Sequence, residues 1–247
     1  MNTNRIRFIG SGDAFGSGGR LQSCFQISLD EKNILLECGS TSMVGLNRCG
    51  CNCNSIGVII TSNLHGDHFG GIPYILVYSH LNSKRTEQLV IAGPEGLNAK
   101  LKEVMEAAFS GSSSIKFRFN LKLIEMSPGE TYIVNGITIR TCPAVHLEND
   151  PHLVLRIGSG GKAIAYTGDT EWADEFLPLV KDADILISES YYFNKKVRFH
   201  LDYKTLESRL PVLNAGKVVI AHMSDEMLSH TGDIKCDYAE DGKVFTI

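Results

Sequence analysis

The segment Thr61-Ser62-Asn63-Leu64-His65-Gly66-Asp67-His68-Phe69-Gly70-Gly71 sets two imidazoles and a carboxylate side by side. It starts where the apolar run 56–61 ends, which puts its polar residues on a loop at a sheet edge. A mixture of nitrogen and oxygen donors suits Zn²⁺ and also holds Mn²⁺ or Fe²⁺. Gly66 lets the chain turn sharply enough for neighbouring side chains to converge. Three more polar residues each follow a β-like run. His146 comes after residues 137–141 and Cys142-Pro143-Ala144-Val145. Asp169 sits in Thr167-Gly168-Asp169-Thr170, after residues 163–166. His222 follows Val218–Ala221 directly. Singly, each reads equally well as a satisfied core histidine or a helix-capping aspartate. As an ordered set delivered from several strand ends, they read as a metal centre on a rigid scaffold.

The elements that must position them alternate along the chain. Residues 5–9 and 24–29 read as strands separated by a Gly-rich stretch, 10–19. A strand over 33–37 ends at Cys38-Gly39, and the β-branched run 56–61 and the run 89–92 read as buried strands. Leu101, Val104, Met105 and Ala108 fall at helical spacing, which predicts an amphipathic helix over 98–109. A strand over 116–124 is followed by two short strands around Asn135-Gly136, a strong hairpin signal. A second hairpin joins 153–157 to 163–166. Residues 172–180 read as helix, 185–188 as strand, 203–213 as helix and 218–221 as strand. The fold class expected is α+β, with two mixed sheets and helices outside, in a single domain over 1–247. The Gly-rich stretch lacks Gly-Lys-Ser/Thr and runs into a strand, which argues against a phosphate-binding loop.

Composition excludes other classes. The 247 residues carry 24 basic and 28 acidic side chains, a net charge of −4 and 43% hydrophobic residues, as an ordinary globular chain does. A chain this long buries roughly 70–75% of its unfolded surface without needing staples. No apolar run reaches the ~18 residues of a membrane span. Seven cysteines without an export signal point to reduced thiols in a cytoplasm. Cys49, Cys51 and Cys53 alternate, but no fourth ligand follows at a familiar zinc spacing, so a structural role is expected. Of the eight histidines, His80, His152 and His230 match no motif and read as structural or solvated.

The ordered set resembles the metallo-β-lactamase-fold hydrolases, whose pattern is His-x-His-x-Asp-His, then His, Asp and a final His. The resemblance runs the length of the chain. Phe8-Ile-Gly-Ser-Gly-Asp-Ala-Phe15, Ile34-Leu-Leu-Glu-Cys-Gly39 and Gly93-Pro-Glu-Gly-Leu97 look most like the ribonuclease Z and cyclic-phosphodiesterase branch. It implies a four-layer αβ/βα sandwich. It also implies one metal site at position 63, His65 and His146, and another at Asp67, His68 and His222, with Asp169 bridging. Position 63 is asparagine here, and an amide oxygen is a poorer ligand than imidazole for a borderline metal. One strong Zn²⁺ site and one weakened site are therefore expected. By the same resemblance, His200 acts as general acid, Asp67 orients the nucleophile, and the Gly-rich stretch borders the active site with Asp13 facing it.

The implied function is a phosphodiesterase acting on a small phosphodiester or cyclic nucleotide through a metal-bound hydroxide. The tRNA-gripping arm of bacterial ribonuclease Z lies, in that family, between the residues matching His146 and Asp169. Here that interval holds one hairpin with a single lysine, Lys162, which disfavours tRNA. β-Lactams are disfavoured because lactamases of this fold generally do without the bridging aspartate. Two alternatives remain open: a thioester or lactone hydrolase, and a degenerate, non-catalytic binder marked by Asn63. No membrane partner is expected, and a homodimer is left open.

Overall fold

Alternating side chains sort each strand between an inner and an outer surface. In the computed structural model, which describes residues 4–147 and 151–247, the first sheet begins with β1 (Arg5–Gly10), β2 (Cys24–Leu29) and β3 (Lys32–Leu36). It continues with β4 (Val58–Ile60), β5 (Leu89–Pro94) and β6 (Leu121–Met126). The second sheet contains β7 (Thr131–Val134), β8 (Ile137–Pro143), β9 (Leu153–Ser159), β10 (Lys162–Tyr166), β11 (Ile185–Glu189), β12 (Val218–Ala221) and β13 (Asp237–Tyr238). A last strand, β14 (Val244–Thr246), returns to pair antiparallel with β1. Seven strands result in each sheet, ordered β14-β1-β2-β3-β4-β5-β6 and β13-β12-β11-β10-β9-β8-β7.

The inner faces meet in one buried cluster. Ile6, Phe8, Phe25, Ile34, Leu36 and Ile60 of the first sheet pack with Ile139, Leu155, Ile157, Ile164 and Ile187 of the second. Burying each such side chain contributes ~1.5–3 kcal/mol. Their strand neighbours point outward. Ile9, Leu35, Ile59 and Ile91 lie under α1 (Ser42–Arg48), α3 (Ile72–Leu81) and α4 (Leu97–Ala108). Val154, Ala165, Leu186 and Ile220 lie under α5 (Leu177–Val180), α6 (Tyr203–Leu213) and α7 (Asp225–Leu228). Helix, sheet, sheet and helix thus form four layers, as expected.

Parallel pairing runs from β3 through β6 and from β10 through β13. Such strands need crossovers, which the helices supply. Two expected elements differ. The run 172–180 becomes a 3-10 turn, Asp174–Phe176, followed by the short α5. Pro178 stands in the first turn of α5, where its missing N–H costs nothing, so the helix starts there and not at 172. The strand expected over 116–124 begins at Leu121, where pairing with Leu89 starts.

Candidate active site

His65, Asp67 and His68 do not sit on an edge loop. β4 is interior to its sheet, and its carboxyl end leads into a one-turn helix, α2 (Gly66–Phe69), with His65 at the N-cap. Asp67 and His68 occupy that single turn, which is pinned where Cys38 N donates to His68 O at 2.7 Å. Gly39 allows this approach, because a Cβ there would stand 2.3 Å from Asp67 O.

The second sheet supplies the rest. Asp169 follows β10 through Gly168, whose φ of 59° belongs to the left-handed region. His222 follows β12 and itself takes φ 56°, held by a hydrogen bond from its N–H to Ser11 O at 3.1 Å. For a non-glycine residue that conformation costs about 1–3 kcal/mol and persists where the surroundings enforce it.

Asp67, His68, Asp169 and His222 converge, each offering a ligand atom within 4.8 Å of the others, and all four are buried. His222 Nε2 lies 3.2 Å from Asp67 Oδ2. His68 Nε2 lies 3.1 Å from Asp169 Oδ2 and 3.2 Å from Asp67 Oδ2, at angles too poor for a hydrogen bond. Two acidic side chains enclose the cluster that sequence reading had not marked, Glu37 and Glu189. Glu37 Oε1 is 3.4 Å from His68 Nδ1, and Glu189 Oε2 is 3.8 Å from His222 Nδ1.

Burial disfavours charge on every one of these groups, but their mutual attraction overrides it. His68 is held well above the ordinary histidine value against burial, by Asp169, Asp67 and Glu37. His222 rises to about 9, against burial, through Asp169 and its bond to Asp67. Burial pushes Asp67 and Asp169 upward, yet both end far below the usual carboxylate range, Asp67 chiefly through His68 and Asp169 chiefly through His222. The carboxylates therefore demand positive charge at their centre. A divalent cation fits this donor set and would take the place of those imidazole protons. Asp169 Oδ1 and His222 Nδ1, both buried, have no hydrogen-bond partner among the described residues.

A second group lies beside the first. The ligand nitrogens of His65, His146 and His152 also fall within 4.8 Å of one another. His152 is buried and its ring stacks on that of His146, with centroids 3.9 Å apart, so the solvated reading of His152 fails. Both rings are driven toward the neutral form by burial, His146 to about 4 and His152 to about 3. Asn63 points elsewhere: its Oδ1 accepts from His65 N at 2.9 Å and its Nδ2 donates to Ser62 Oγ at 3.3 Å.

His200 comes to the same cavity. Its Nδ1 is 2.9 Å from Glu189 Oε2, whose other oxygen accepts from Thr170 N. Burial works against the charged ring, but Glu189 outweighs it and holds His200 above the ordinary histidine value. The cavity, about 180 Å³, is lined by His65, Asp67, His146, Asp169, His200 and His222, with Ala14, Phe15 and Tyr191 at its rim. Asp13 does not face it. Its carboxylate accepts from Phe15 N, Ser17 N and Ser17 Oγ, tying the Gly-rich loop together so that Phe15 overhangs the site.

The remaining residues stay apart from this cluster. His80 Nδ1 accepts from Arg118 N, and His230 pairs with Asp233. All seven cysteines are free thiols. Cys49, Cys51 and Cys53 form no metal group among the described residues; Cys51 Sγ donates to Gln26 Oε1. No helix among the described residues is long and apolar enough to cross a membrane.

Comparison with known proteins agrees with this architecture. A family model described as "Anti-Pycsar protein Apyc1" matches residues 4–245. Ribonuclease Z of Methanosarcina mazei is 23% identical over 286 aligned positions, covering 94% of this chain and 92% of its own length. The metallo-β-lactamase fold protein YhfI from Bacillus subtilis superposes with a TM-score of 0.78 at 20% identity, over 99% of both chains. Zn²⁺-bound PqqB from Methylobacterium extorquens superposes with a TM-score of 0.75 at 14% identity, over 98% of this chain and 100% of its own. The fold is the metallo-β-lactamase fold.

Proposed function

The chain belongs to the family of the anti-Pycsar protein Apyc1, and from that membership we propose that it is a metal-dependent phosphodiesterase acting on a small phosphodiester, foremost a cyclic nucleotide. One observation carries the reading: Asp67, His68, Asp169 and His222 converge, buried, and Asp67, Asp169 and His222 line a cavity that His200 also lines. In this reading Asp67, His68, Asp169 and His222 hold one Zn²⁺, and His65 and His146 face a second position. When bound, a divalent cation there supplies Lewis acidity toward a phosphoryl oxygen and lowers the pKa of water toward ~7.

The chain's own residues do the rest. Asp67 keeps a second carboxylate oxygen, with which it orients the attacking water. Glu189 occupies His200 Nδ1, so His200 Nε2 carries the proton delivered to the leaving oxygen. Against burial, Glu189 shifts His200 toward its protonated form. Phe15, 86% exposed on the rim, offers a flat face on which a base stacks.

The hairpin between His146 and Asp169 favours a small substrate over tRNA. The 153–166 hairpin is short, and its lysine, Lys162, is tied to Asp184 at 2.7 Å. Free thiols suit a reducing compartment such as the cytoplasm.

The test loads purified protein with Zn²⁺ and measures turnover of bis-p-nitrophenyl phosphate, a cyclic mononucleotide, a glutathione thioester and an acyl lactone. Asp67→Ala serves as the control. Turnover of the phosphodiesters by wild type and not by the variant is expected. Equal rates for both proteins, or turnover confined to the thioester or lactone, would overturn the assignment.

A further inference from the structure

We propose that His152 supplies the third imidazole of the His65–His146 metal position, in place of the ring that Asn63 lacks. The inference rests on the metal-dependent reading above and adds a ligand to it.

Position 63 is the obvious place to look for a third ligand, and the structure shows why it is not one. Asn63 is fully buried, and both ends of its amide are spent on its own loop, at His65 N and Ser62 Oγ. Turning the amide toward His65 and His146 would leave the His65 N–H without its acceptor. Such a loss at a partly buried group costs up to ~1–3 kcal/mol, and an amide oxygen recovers little of it as a ligand to a borderline metal.

His152 reaches the same spot from the other sheet. It stands immediately before β9, and its backbone is clipped on both sides. Ala144 N donates to His152 O at 3.0 Å, and Leu153 N donates to Ser62 O at 2.9 Å. The second bond joins the residue after His152 to the residue before Asn63. The imidazole therefore enters beside the position it would replace. Its ring lies 4.8 Å from that of His65 and 3.9 Å from that of His146, centroid to centroid, and is 5% exposed. Three imidazoles with converging nitrogens form a donor set that Zn²⁺ takes readily while keeping a fourth position open.

Packing alone would also stack two histidine rings, so the test must separate a ligand from a filler. Wild type, His152→Ala, Asn63→His and the double variant Asn63→His/His152→Ala are stripped with chelator and reloaded at fixed free Zn²⁺. Metal per chain is then read by elemental analysis, and the second binding step by calorimetry. We expect two Zn²⁺ in wild type and one in His152→Ala, with the second step weakened by more than the ~100-fold seen when only an outer partner of a ligand is lost. Two should return in the double variant. Loss that Asn63→His does not restore would overturn the proposal, as would two full-affinity ions in His152→Ala.

A measurement on unmutated protein guards against misfolded variants. With ¹⁵N-labelled histidine and ¹¹³Cd²⁺ in both positions, the His152 ring nitrogen should show direct coupling to cadmium; its absence beside couplings at His65 and His146 overturns the assignment. The outcomes also separate the two readings. Wild type that binds a single ion defeats the role of His152 and leaves the Asp67–His222 site standing, whereas wild type that binds none defeats both.

Discussion

Replacing Gly39 by alanine tests whether the close passage of the chain beneath α2 sets the geometry of the metal cluster. A Cβ at Gly39 would lie 2.3 Å from Asp67 O and 2.7 Å from Gln22 Cβ. Carbon–oxygen contacts settle at ~3.3–3.6 Å, so the turn carrying Asp67 must retreat by about 1 Å. Overpacking of this kind costs ~1–3 kcal/mol. At ~2–4 °C per kcal/mol for a chain of this size, melting should fall by roughly 2–12 °C. A displacement of ~1 Å also lowers turnover by ~100-fold, because Asp67 and His68 ride on the turn that moves. The assay compares melting temperature, Zn²⁺ content and bis-p-nitrophenyl phosphate hydrolysis with those of Gly57→Ala. A Cβ at Gly57 meets nothing nearer than Asn33 O at 3.9 Å, so that variant should behave as wild type. If Gly39→Ala melts, loads metal and turns over like Gly57→Ala, the steric reasoning is refuted.

Four further outcomes are expected. His200→Ala should lower kcat on a cyclic nucleotide by ~10²–10⁴, and far less on bis-p-nitrophenyl phosphate, whose leaving group needs little protonation. Burial lowers the His200 pKa and Glu189 more than reverses it. Glu189→Gln should therefore shift the alkaline limb of the kcat profile to lower pH, and a limb that stays put counts against the acid role. Removing metal should lower the melting temperature: an ion at 100 times its Kd contributes ~2.7 kcal/mol, or roughly 5–11 °C in a chelator titration followed by thermal melts. Phe15→Ala should raise KM for a cyclic nucleotide by ~5–160-fold, the equivalent of one lost stacking contact, with kcat held. A fall in kcat at unchanged KM would place Phe15 in the chemistry and not in binding.

Much of the frame is legible in the sequence because strand alternation is a local signal. Ile6 and Phe8 face the inner core while Ile9 faces the helices, and Leu101 and Met105 mark the buried side of α4. α3 escapes detection because its apolar residues surround it, so Ile-Pro-Tyr-Ile-Leu-Val-Tyr shows no period. Within the site, the residues that follow strands at motif spacing could be found, whereas Glu37 and Glu189 could not. Each closes an otherwise apolar run, and a lone carboxylate in that position was the available signal. His152 precedes a strand and belongs to no motif. Its neighbour in the chain, His146, adjoins the same sheet, but His65 comes from the other sheet and is far away in the chain, so only the tertiary fold brings the three together.

The division of donors between the sheets has a consequence for how the protein matures. His65, Asp67 and His68 follow β4 of the first sheet, whereas His146, His152, Asp169 and His222 adjoin strands of the second. Each metal position of the proposed site draws on both, so neither half of the chain carries a complete set of ligands. Metal uptake then works as a check on assembly: an ion is retained only where the two halves have docked in register. Zinc retained through gel filtration would accordingly count correctly folded molecules, without reference to any substrate.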